Sequence, residues 1–305
     1  MELGQLRALR ELRDRGSIAA AAAALHVTPS SVSQQLSALQ RRFPAPLTYK
    51  DGRRTALTDA GEALAAAAVD VEIAFERAEH AVAKFQSEPQ GAVSVAAFHS
   101  AALAFFGPLL TTLSSPGQPQ AILGDFDVAQ EEFAGLTQEH DLVIAHRLAG
   151  SPAWPASVRI EHLLFEPLDL VLRKDHRLAG YEVIGPDDLC TASWVAVHQG
   201  FPLENAVHQL AGIGGTEADI LHRINDFSVA AAVVAASDCV ALMPRYTTDI
   251  SRYPELILRP LSHAAPGRYI DCLARPETLE RANVKAVLAQ LKTIIDGLKW
   301  AIAGP

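Results

Sequence analysis

Apolar and polar positions along the N-terminal part of the chain predict two short helices joined by a tight turn. Residues 17–25 are mostly alanine, which has the highest helix propensity of the natural residues, so they predict one compact helix. Thr28 can cap a second helix and Pro29 fits its first position, which predicts a helix over 29–42. Two helices separated by so short a turn are typical of a helix-turn-helix.

The predicted helix over 29–42 has one apolar face and one polar face. Its apolar positions follow helical spacing and should be buried: Val32, Leu36 and Leu39. Its opposite face holds short polar side chains that could contact base edges and phosphates: Ser30, Ser31, Ser33, Gln34 and Ser37. Together with the cap residue Thr28, these are the candidate DNA-contacting residues of the helix. From this segment alone, a helical hairpin inside an ordinary core remains an alternative.

A basic turn follows the second helix and favours the DNA-binding alternative. Gly52 stands between Lys50 and the pair Arg53 and Arg54, and residues 55–58 have a strand-like pattern. This arrangement predicts a β-hairpin wing whose arginines could contact phosphates or enter a minor groove.

Residues 59–86 predict a long helix with an apolar seam, which Thr58 can cap. The seam repeats at alternating spacings of four and three residues: Leu64, Ala68, Val71, Phe75, Ala78, Val82 and Phe85. Such a period favours pairing with a second copy of the chain, although packing on the chain's own body remains open. Residues 87–91 contain proline and glycine and predict a hinge.

Strand and helix patterns alternate after residue 91, which predicts an α/β region. The predicted strands are 93–97, 120–123, 142–145, 168–173, 194–197 and 269–274, and the predicted helices are 101–113, 129–137, 205–210, 227–236 and 279–300. Alternation of this kind implies a parallel sheet covered by helices.

The charge distribution supports a basic head on an acidic body. Residues 1–58 hold nine Lys or Arg against four acidic residues, a net charge of +5, so with −9 for the whole chain the remainder carries −14. This asymmetry is expected of a modular DNA-binding protein whose body should not adhere to phosphate.

The composition argues against a membrane-spanning or secreted protein and against a cysteine metal site. No apolar run reaches the length needed to span a bilayer, and the N-terminus lacks the apolar core of a signal peptide, so we expect a cytoplasmic protein without membrane association. Cys190, Cys239 and Cys272 lack metal-ligand spacing and predict buried thiols, with a redox role left open. No metal or cofactor is expected.

Several sequence blocks together resemble the LysR-type transcriptional regulators. The N-terminal blocks are Gly16-Ser17-Ile18, Leu25 to Leu36 including Thr28-Pro29-Ser30-Ser31, Gly52-Arg53-Arg54 and Leu57-Thr58-Asp59-Ala60-Gly61. The C-terminal blocks are Phe165-Glu166-Pro167-Leu168, Asp175-His176-Arg177-Leu178 and Ala241-Leu242-Met243-Pro244-Arg245. The resemblance therefore spans essentially the whole chain.

The resemblance implies an α/β multidomain protein with an N-terminal winged helix-turn-helix, a long linker helix and a two-lobed effector domain similar to periplasmic binding proteins. The implied domains are 1–58 for DNA binding, 59–86 for the dimerising linker helix, 87–91 for the hinge, 92–165 with 268–305 for lobe I, and 166–267 for lobe II. The implied partners are a double-stranded DNA operator, a small-molecule effector of unknown identity, and the chain itself as a homodimer or homotetramer.

Loops that follow strands in α/β folds gather ligands, and the resembling family uses them to line its effector pocket. The candidates in such loops are His99, Ser100, His146, His198, Phe201 and Phe227. Ser100 could alternatively cap the following helix. The set mixes histidine, serine and aromatic residues, so the sequence leaves the class of effector open.

The alternative class is a small-molecule-binding protein or an enzyme without DNA function. Nucleotide-binding, hydrolase and metalloprotease motifs are absent from the sequence. The carboxylates Asp125, Asp127, Glu131 and Glu132 predict a solvated loop and helix start rather than an acid/base pair. We therefore expect a regulator and not an enzyme.

Overall fold

The structure is a computed structural model that describes residues 1–52, 54–83, 91–199, 202–262 and 266–303. The chain divides into two compact units. Unit 1 comprises Met1–Ser87 with Pro276–Ala282, and unit 2 comprises Glu88–Arg275 with Asn283–Pro305. None of the described helices combines the length and the apolarity that crossing a bilayer requires.

Unit 1 is a small helical domain with a two-stranded wing. Its elements are α1 Leu3–Arg15, α2 Ile18–Ala24, α3 Pro29–Gln40, β1 Thr48–Asp51, β2 Arg54–Leu57 and α4 Asp59–Ala83. The two strands pair antiparallel. The predicted helices over 17–25 and 29–42 and the predicted hairpin are therefore confirmed, with ends shifted by one or two residues.

Local caps fix where these helices begin. The Ser17 hydroxyl accepts a hydrogen bond from the Ala20 amide, and the Thr28 hydroxyl accepts one from the Ser31 amide. Between α1 and α2, Gly16 has a φ of 69°, a left-handed conformation that favours glycine. The three helices then bury a shared apolar core, with Val32, Leu36 and Leu39 of α3 inside it as predicted.

Close backbone approach ties the wing to α4. A Cβ atom added at Gly61 would lie 2.0 Å from the carbonyl oxygen of Leu47, so only glycine fits there. The hydroxyl of Thr58 accepts a hydrogen bond from the Gly61 amide at 3.1 Å, which confirms the predicted cap of this helix.

The apolar seam of α4 divides into two parts. Ala68 is buried in the core of unit 1. Val71 and Phe75 are each 42% exposed in the single chain. The helix is described as far as Ala83; its predicted end at 86, Phe85 and the predicted hinge residues 87–90 lie outside the described residues, as does the Val82 side chain.

One segment near the C-terminus belongs to unit 1, whereas the resemblance assigned all of 268–305 to lobe I. Arg10, buried in α1, pairs with Glu72 of α4 at 3.0 Å and with Glu277 at 2.7 Å. Arg77 of α4 pairs with Glu280 at 3.0 Å. These ion pairs, formed across large sequence separations, explain why Pro276–Ala282 clusters with unit 1.

Unit 2 is a two-lobed α/β domain. Its strands are β3 Ala92–Ala97, β4 Gln120–Asp125, β5 Leu142–Leu148, β6 Arg159–Arg173, β7 Ser193–Ala196, β8 Asp219–Arg223, β9 Val240–Pro244, β10 Leu256–Arg259 and β11 Gly267–Ala274. Its helices are α5 His99–Leu113, α6 Phe133–Leu136, α7 Pro202–Ile213, α8 Phe227–Ala235 and α9 Ala282–Ala303, whose first residue is counted in unit 1.

The sheet is mixed rather than all parallel. Its order is β4-β3-β5-β11-β6-β9-β7-β8, with β10 also paired to β6. The pairs β3–β4, β3–β5, β7–β8 and β7–β9 are parallel, as alternation of strands and helices predicts. The long strands β6 and β11 pair antiparallel and connect the two lobes, because the chain crosses between them twice.

The predicted strands 93–97, 120–123 and 142–145 are all present and extend by one to three residues. The predicted helix over 129–137 is wrong in type, because Gln130–Glu132 forms a 3₁₀ turn and only Phe133–Leu136 is α-helical. The predicted strand 168–173 is the second half of β6, whose earlier residues pair with β11.

Candidate functional site

The outer face of α3 carries the candidate DNA-contacting residues of unit 1. Ser30, Ser33, Gln34 and Ser37 are exposed, while Ser31 is half-buried. The hydroxyl of Ser33 donates back to the Pro29 carbonyl at 3.0 Å, and Thr28 and Ser30 share a hydrogen bond at 2.8 Å. Gln34 has the longest side chain on this face and extends into solvent, which suits a contact with a base edge.

The wing places basic residues on both sides of a glycine turn. Gly52 adopts a φ of 57°, which allows the tight reversal between β1 and β2. Arg54 is exposed at the start of β2, and Lys50 donates to the Thr55 hydroxyl at 3.2 Å. Arg53 lies outside the described residues.

Unit 2 contains a cavity of about 450 Å³ that draws its lining from both lobes. The residues that line it are Phe98, His99, Ser100, Asp125, Asp127, His146, Leu148, Val197, Leu203, Asn225, Asp226, Phe227 and Arg268. The carboxyl ends of β3, β4 and β5, with the residues that follow β3 and β4, supply one side, and the residues after β7 and β8 supply the other. The cavity therefore lies at the carboxyl ends of parallel strands, where α/β folds bind ligands. His146 lies within β5 and not in the expected loop after it.

Arg268 lines the floor of the cavity and is paired with the fully buried Glu166. The Nε of Arg268 donates to Glu166 Oε2 at 2.8 Å, and its Nη2 donates to Ser100 Oγ at 2.8 Å and to Thr247 Oγ1 at 2.7 Å. Glu166 also accepts hydrogen bonds from the backbone amides of Tyr246 and Thr247. Both charged side chains are at most 4% exposed, so they are removed from water and each neutralises the charge of the other.

Ser100 does not cap α5. The helix begins one residue earlier, at His99, and its cap residue Phe98 has no side-chain acceptor. The Ser100 hydroxyl instead accepts a hydrogen bond from Arg268 and bonds to Thr247 at 3.3 Å. The expectation of a helix cap is therefore wrong, and Ser100 belongs to the polar floor.

The two histidines that line the cavity have opposite electrostatics. His146 packs edge-on against Phe98 at 4.7 Å between ring centroids; burial, aided by the charge of Arg268, lowers its pKa to about 3. His99 is exposed, and its hydrogen bond to Asp125 raises its pKa. At neutral pH His146 is therefore an uncharged wall of the cavity, whereas the contact with Asp125 favours the protonated form of His99.

Four of the six candidates from the sequence line the cavity: His99, Ser100, His146 and Phe227. His198 lies beside it, since its backbone amide donates to the Asn225 side chain at 2.8 Å while its own side chain is absent from the lining. Phe201 lies outside the described residues.

Sequence reasoning missed most of the charged lining. Asp125 and Asp127 line the cavity, whereas the sequence indicated only a solvated loop. Asp226, which caps α8, could have been found from its position directly before a helix, and Asn225 precedes it. Arg268 had no signal of its own, because nothing in the sequence places it beside Ser100.

Cys239 and Cys272 are buried as predicted, whereas Cys190 is only partly buried. All three are free thiols. Burial raises the pKa of Cys272 to about 12, which keeps it in the unreactive thiol form. The described residues also contain no cluster of His, Cys, Asp and Glu that could hold a metal ion.

Comparison with known families assigns both units. The family described as "Bacterial regulatory helix-turn-helix protein, lysR family" matches residues 3–62. The family described as "LysR substrate binding domain" matches residues 86–295, more than half of the chain. The chain belongs to the LysR family.

Individual LysR relatives are distant. The regulator IlvY of Escherichia coli K12 is 27% identical over 166 residues, which cover 53% of this chain and 55% of IlvY. The chain thus aligns with about half the length of that relative. The regulator MetR of Salmonella typhimurium is 27% identical over 265 residues, which cover 82% of this chain and 76% of MetR.

Solved LysR-type structures share the fold. A full-length OxyR variant from Pseudomonas aeruginosa superimposes with a TM-score of 0.63 at 19% identity, covering 97% of this chain and 94% of OxyR. CbnR in complex with its target DNA gives a TM-score of 0.53 at 20% identity, covering 97% of this chain and all of CbnR. At such identities the likeness establishes the LysR fold alone.

Proposed function

We propose that this LysR-family chain is a transcriptional regulator that binds a DNA operator through α3 and the wing. A small molecule bound in the cavity of unit 2 modulates that binding. The observation that carries the proposal is the exposed polar face of α3. The opposite face of the helix is anchored in the core by Val32, Leu36 and Leu39, and residues 1–58 around it are basic in sequence. The relatives named above are described as transcriptional regulators, and we assign this chain no catalytic role.

The DNA-contacting residues of this proposal divide by their chemistry. Gln34 can form two hydrogen bonds with one base, so it supplies sequence preference. Arg53 and Arg54 attract phosphates and supply affinity without preference. The serines of α3 and Thr28 are short enough to let the helix approach the groove closely.

Selection of bound DNA from a random pool, with the full chain, tests the head. We expect one consensus for the wild-type protein and a relaxed position within it for Gln34→Ala, at a cost of roughly 1–3 kcal/mol for the matched base. Arg54→Ala should weaken binding to all sequences and reduce the salt dependence.

Arg252→Ala is the matched control, because Arg252 is exposed on unit 2 and far from α3 in sequence. It should leave both affinity and preference at wild-type values. Recovery of no consensus by the wild-type chain would contradict DNA-binding function and favour a small-molecule-binding protein.

We also propose that the chain self-associates through α4. Val71 and Phe75 are large apolar side chains, one helical turn apart, and both are substantially exposed in the single chain. A second copy would bury them in a seam of coiled-coil period. A homodimer presents two heads to two half-sites, and further contacts between effector domains would give a homotetramer. Such a regulator acts in the cytoplasm, where bacterial DNA lies.

A further inference from the structure

The charged groups that line the cavity are not balanced. Three carboxylates, Asp125, Asp127 and Asp226, line it and together form what we call the acidic mouth. His99 lies between two of them, with Nδ1 2.8 Å from Asp125 Oδ2 and Nε2 3.8 Å from Asp226 Oδ2. Even with His99 protonated, the acidic mouth keeps a net negative charge, because three carboxylates face one imidazolium.

The floor does not offset this negative charge. The guanidinium of Arg268 is paired with Glu166, which is fully buried and accepts two backbone amide hydrogen bonds besides. His146 is held uncharged by burial. The Arg268–Glu166 pair therefore adds no net positive charge to the cavity. An anionic ligand would face a guanidinium that is already neutralised by Glu166, together with the three carboxylates of the acidic mouth.

The helix end on the lobe II side is also already occupied by a carboxylate. Asp226 Oδ1 accepts hydrogen bonds from the amides of Ser228 and Val229 at 2.8 and 2.9 Å. An uncapped helix N-terminus would favour an anion. Here Asp226 satisfies those amides itself, and its second oxygen remains available to a donor.

Apart from Asn225 the remaining lining is apolar, and one guanidinium nitrogen of Arg268 is unused. Phe98, Leu148, Val197 and Phe227 provide walls for an apolar body. Within the part of the chain that the structure describes, Nη1 of Arg268 has no hydrogen-bond partner, although the residue is only 3% exposed and lines the cavity. It can donate to an uncharged oxygen of a ligand.

Resting on the function proposed above, we propose that the cavity binds an organic cation: a protonated amine carried on an apolar body, with the ammonium group among Asp125, Asp127 and Asp226. An ammonium group satisfies the acidic mouth by charge-assisted hydrogen bonds, and the aromatic ring of Phe227 adds a surface that tolerates positive charge. The ring of Phe98 already contacts the Arg268 guanidinium, 4.7 Å from its centroid. An uncharged oxygen on the same body would accept from Arg268.

Matched probes test the sign of the ligand charge on the full-length chain. Three series, built on phenylethyl, indolylethyl and hexyl bodies, each supply an amine, a carboxylate and an alcohol. Calorimetry at neutral pH measures their affinities. We expect an amine to bind, and to bind at least about tenfold more tightly than the carboxylate and the alcohol of its own series. Tighter binding by the carboxylates, or no binding by any amine, would overturn the proposal.

Variants of the acidic mouth locate the bound amine. Asp125→Asn with Asp226→Asn removes two charges and keeps the acceptors, because asparagine caps a helix about as well as aspartate. The loss of two half-exposed ion pairs should weaken amine binding about tenfold. Asp238→Asn makes the same change at an exposed position outside the cavity and should have no effect. Amine affinity unchanged in the double variant would place the amine elsewhere and refute the proposal.

DNA-binding measurements separate this proposal from the function on which it rests. Fluorescence anisotropy with the selected operator, with and without each bound probe, reports on regulation. An amine that binds at the acidic mouth without altering operator affinity supports the ligand class and contradicts the regulatory function. A carboxylate that binds in the cavity and alters operator affinity supports regulation and overturns the ligand class.

Discussion

Removing Arg268 tests whether the buried ion pair organises the cavity floor. Arg268→Met keeps a chain of similar shape but leaves Glu166, which is fully buried, without its cation. It also removes the donors to Ser100 and Thr247. Breaking a buried pair by deleting one partner costs about 3–5 kcal/mol, because the remaining charge is still desolvated. We expect a loss of that size in the free energy of unfolding of unit 2.

Part of that loss should be recoverable. Glu166→Gln alone leaves the guanidinium unpaired and should be similarly costly. In the double variant neither charge remains, so its cost should be smaller than the sum of the two single costs by about 2 kcal/mol or more. A double-mutant cycle therefore measures the coupling rather than the loss of packing around Arg268.

Urea unfolding followed by tryptophan fluorescence suits this cycle. Trp154, Trp194 and Trp300 all lie in the sequence of unit 2, so the signal reports on that unit. Arg252→Met, at an exposed position, is the control and should change stability by less than about 0.5 kcal/mol. A cost below about 1 kcal/mol for Arg268→Met, or additive single costs, would refute the argument.

Three further predictions concern other parts of the chain. The pKa of His146 is lowered to about 3 in the folded state, so on acidification the unfolded state takes up a proton first. The free energy of unfolding of unit 2 should therefore fall by on the order of 1–2 kcal/mol between pH 7.5 and 5. In urea titrations at each pH, His146→Gln should flatten this dependence. Gly61→Ala should destabilise unit 1 by about 2 kcal/mol or more in amide hydrogen exchange, since its Cβ would overlap the Leu47 carbonyl. Val71→Glu with Phe75→Glu should reduce the particle mass in light scattering, because the added charges would be buried unpaired.

Control variants with matched substitutions show whether each effect is specific to its site. Gly4→Ala places a Cβ at an ordinary 3.8 Å from Gln35 and should leave unit 1 as stable as before. Gln209→Glu with Ser251→Glu adds the same charges at exposed polar positions of unit 2 and should leave the particle mass unchanged. Equal pH dependence in wild type and His146→Gln would show that His146 is not the group responsible, and an unaltered mass for the α4 variant would show that the seam does not pair.

Local features of the sequence determined the head. The buried triad of α3, the cap Thr28 and the glycine of the wing each act within a few residues of chain, and each is found where the pattern predicts it. Periodicity and capping are local physics, so they can be recognised without knowing the rest of the fold. The same holds for the parallel strands that alternate with helices in unit 2.

Only the tertiary structure decided the composition of the cavity and of the ion-pair clusters. Arg268 meets Ser100 and Glu166 because β11 pairs with both β5 and β6, an order that strand patterns do not encode. Asp125 and Asp226 approach the same histidine from different lobes. Such contacts join residues far apart in the chain, and their geometry depends on strand order and crossover. The sequence by itself therefore specified the elements and the family, whereas the folded chain determined which charges face a ligand.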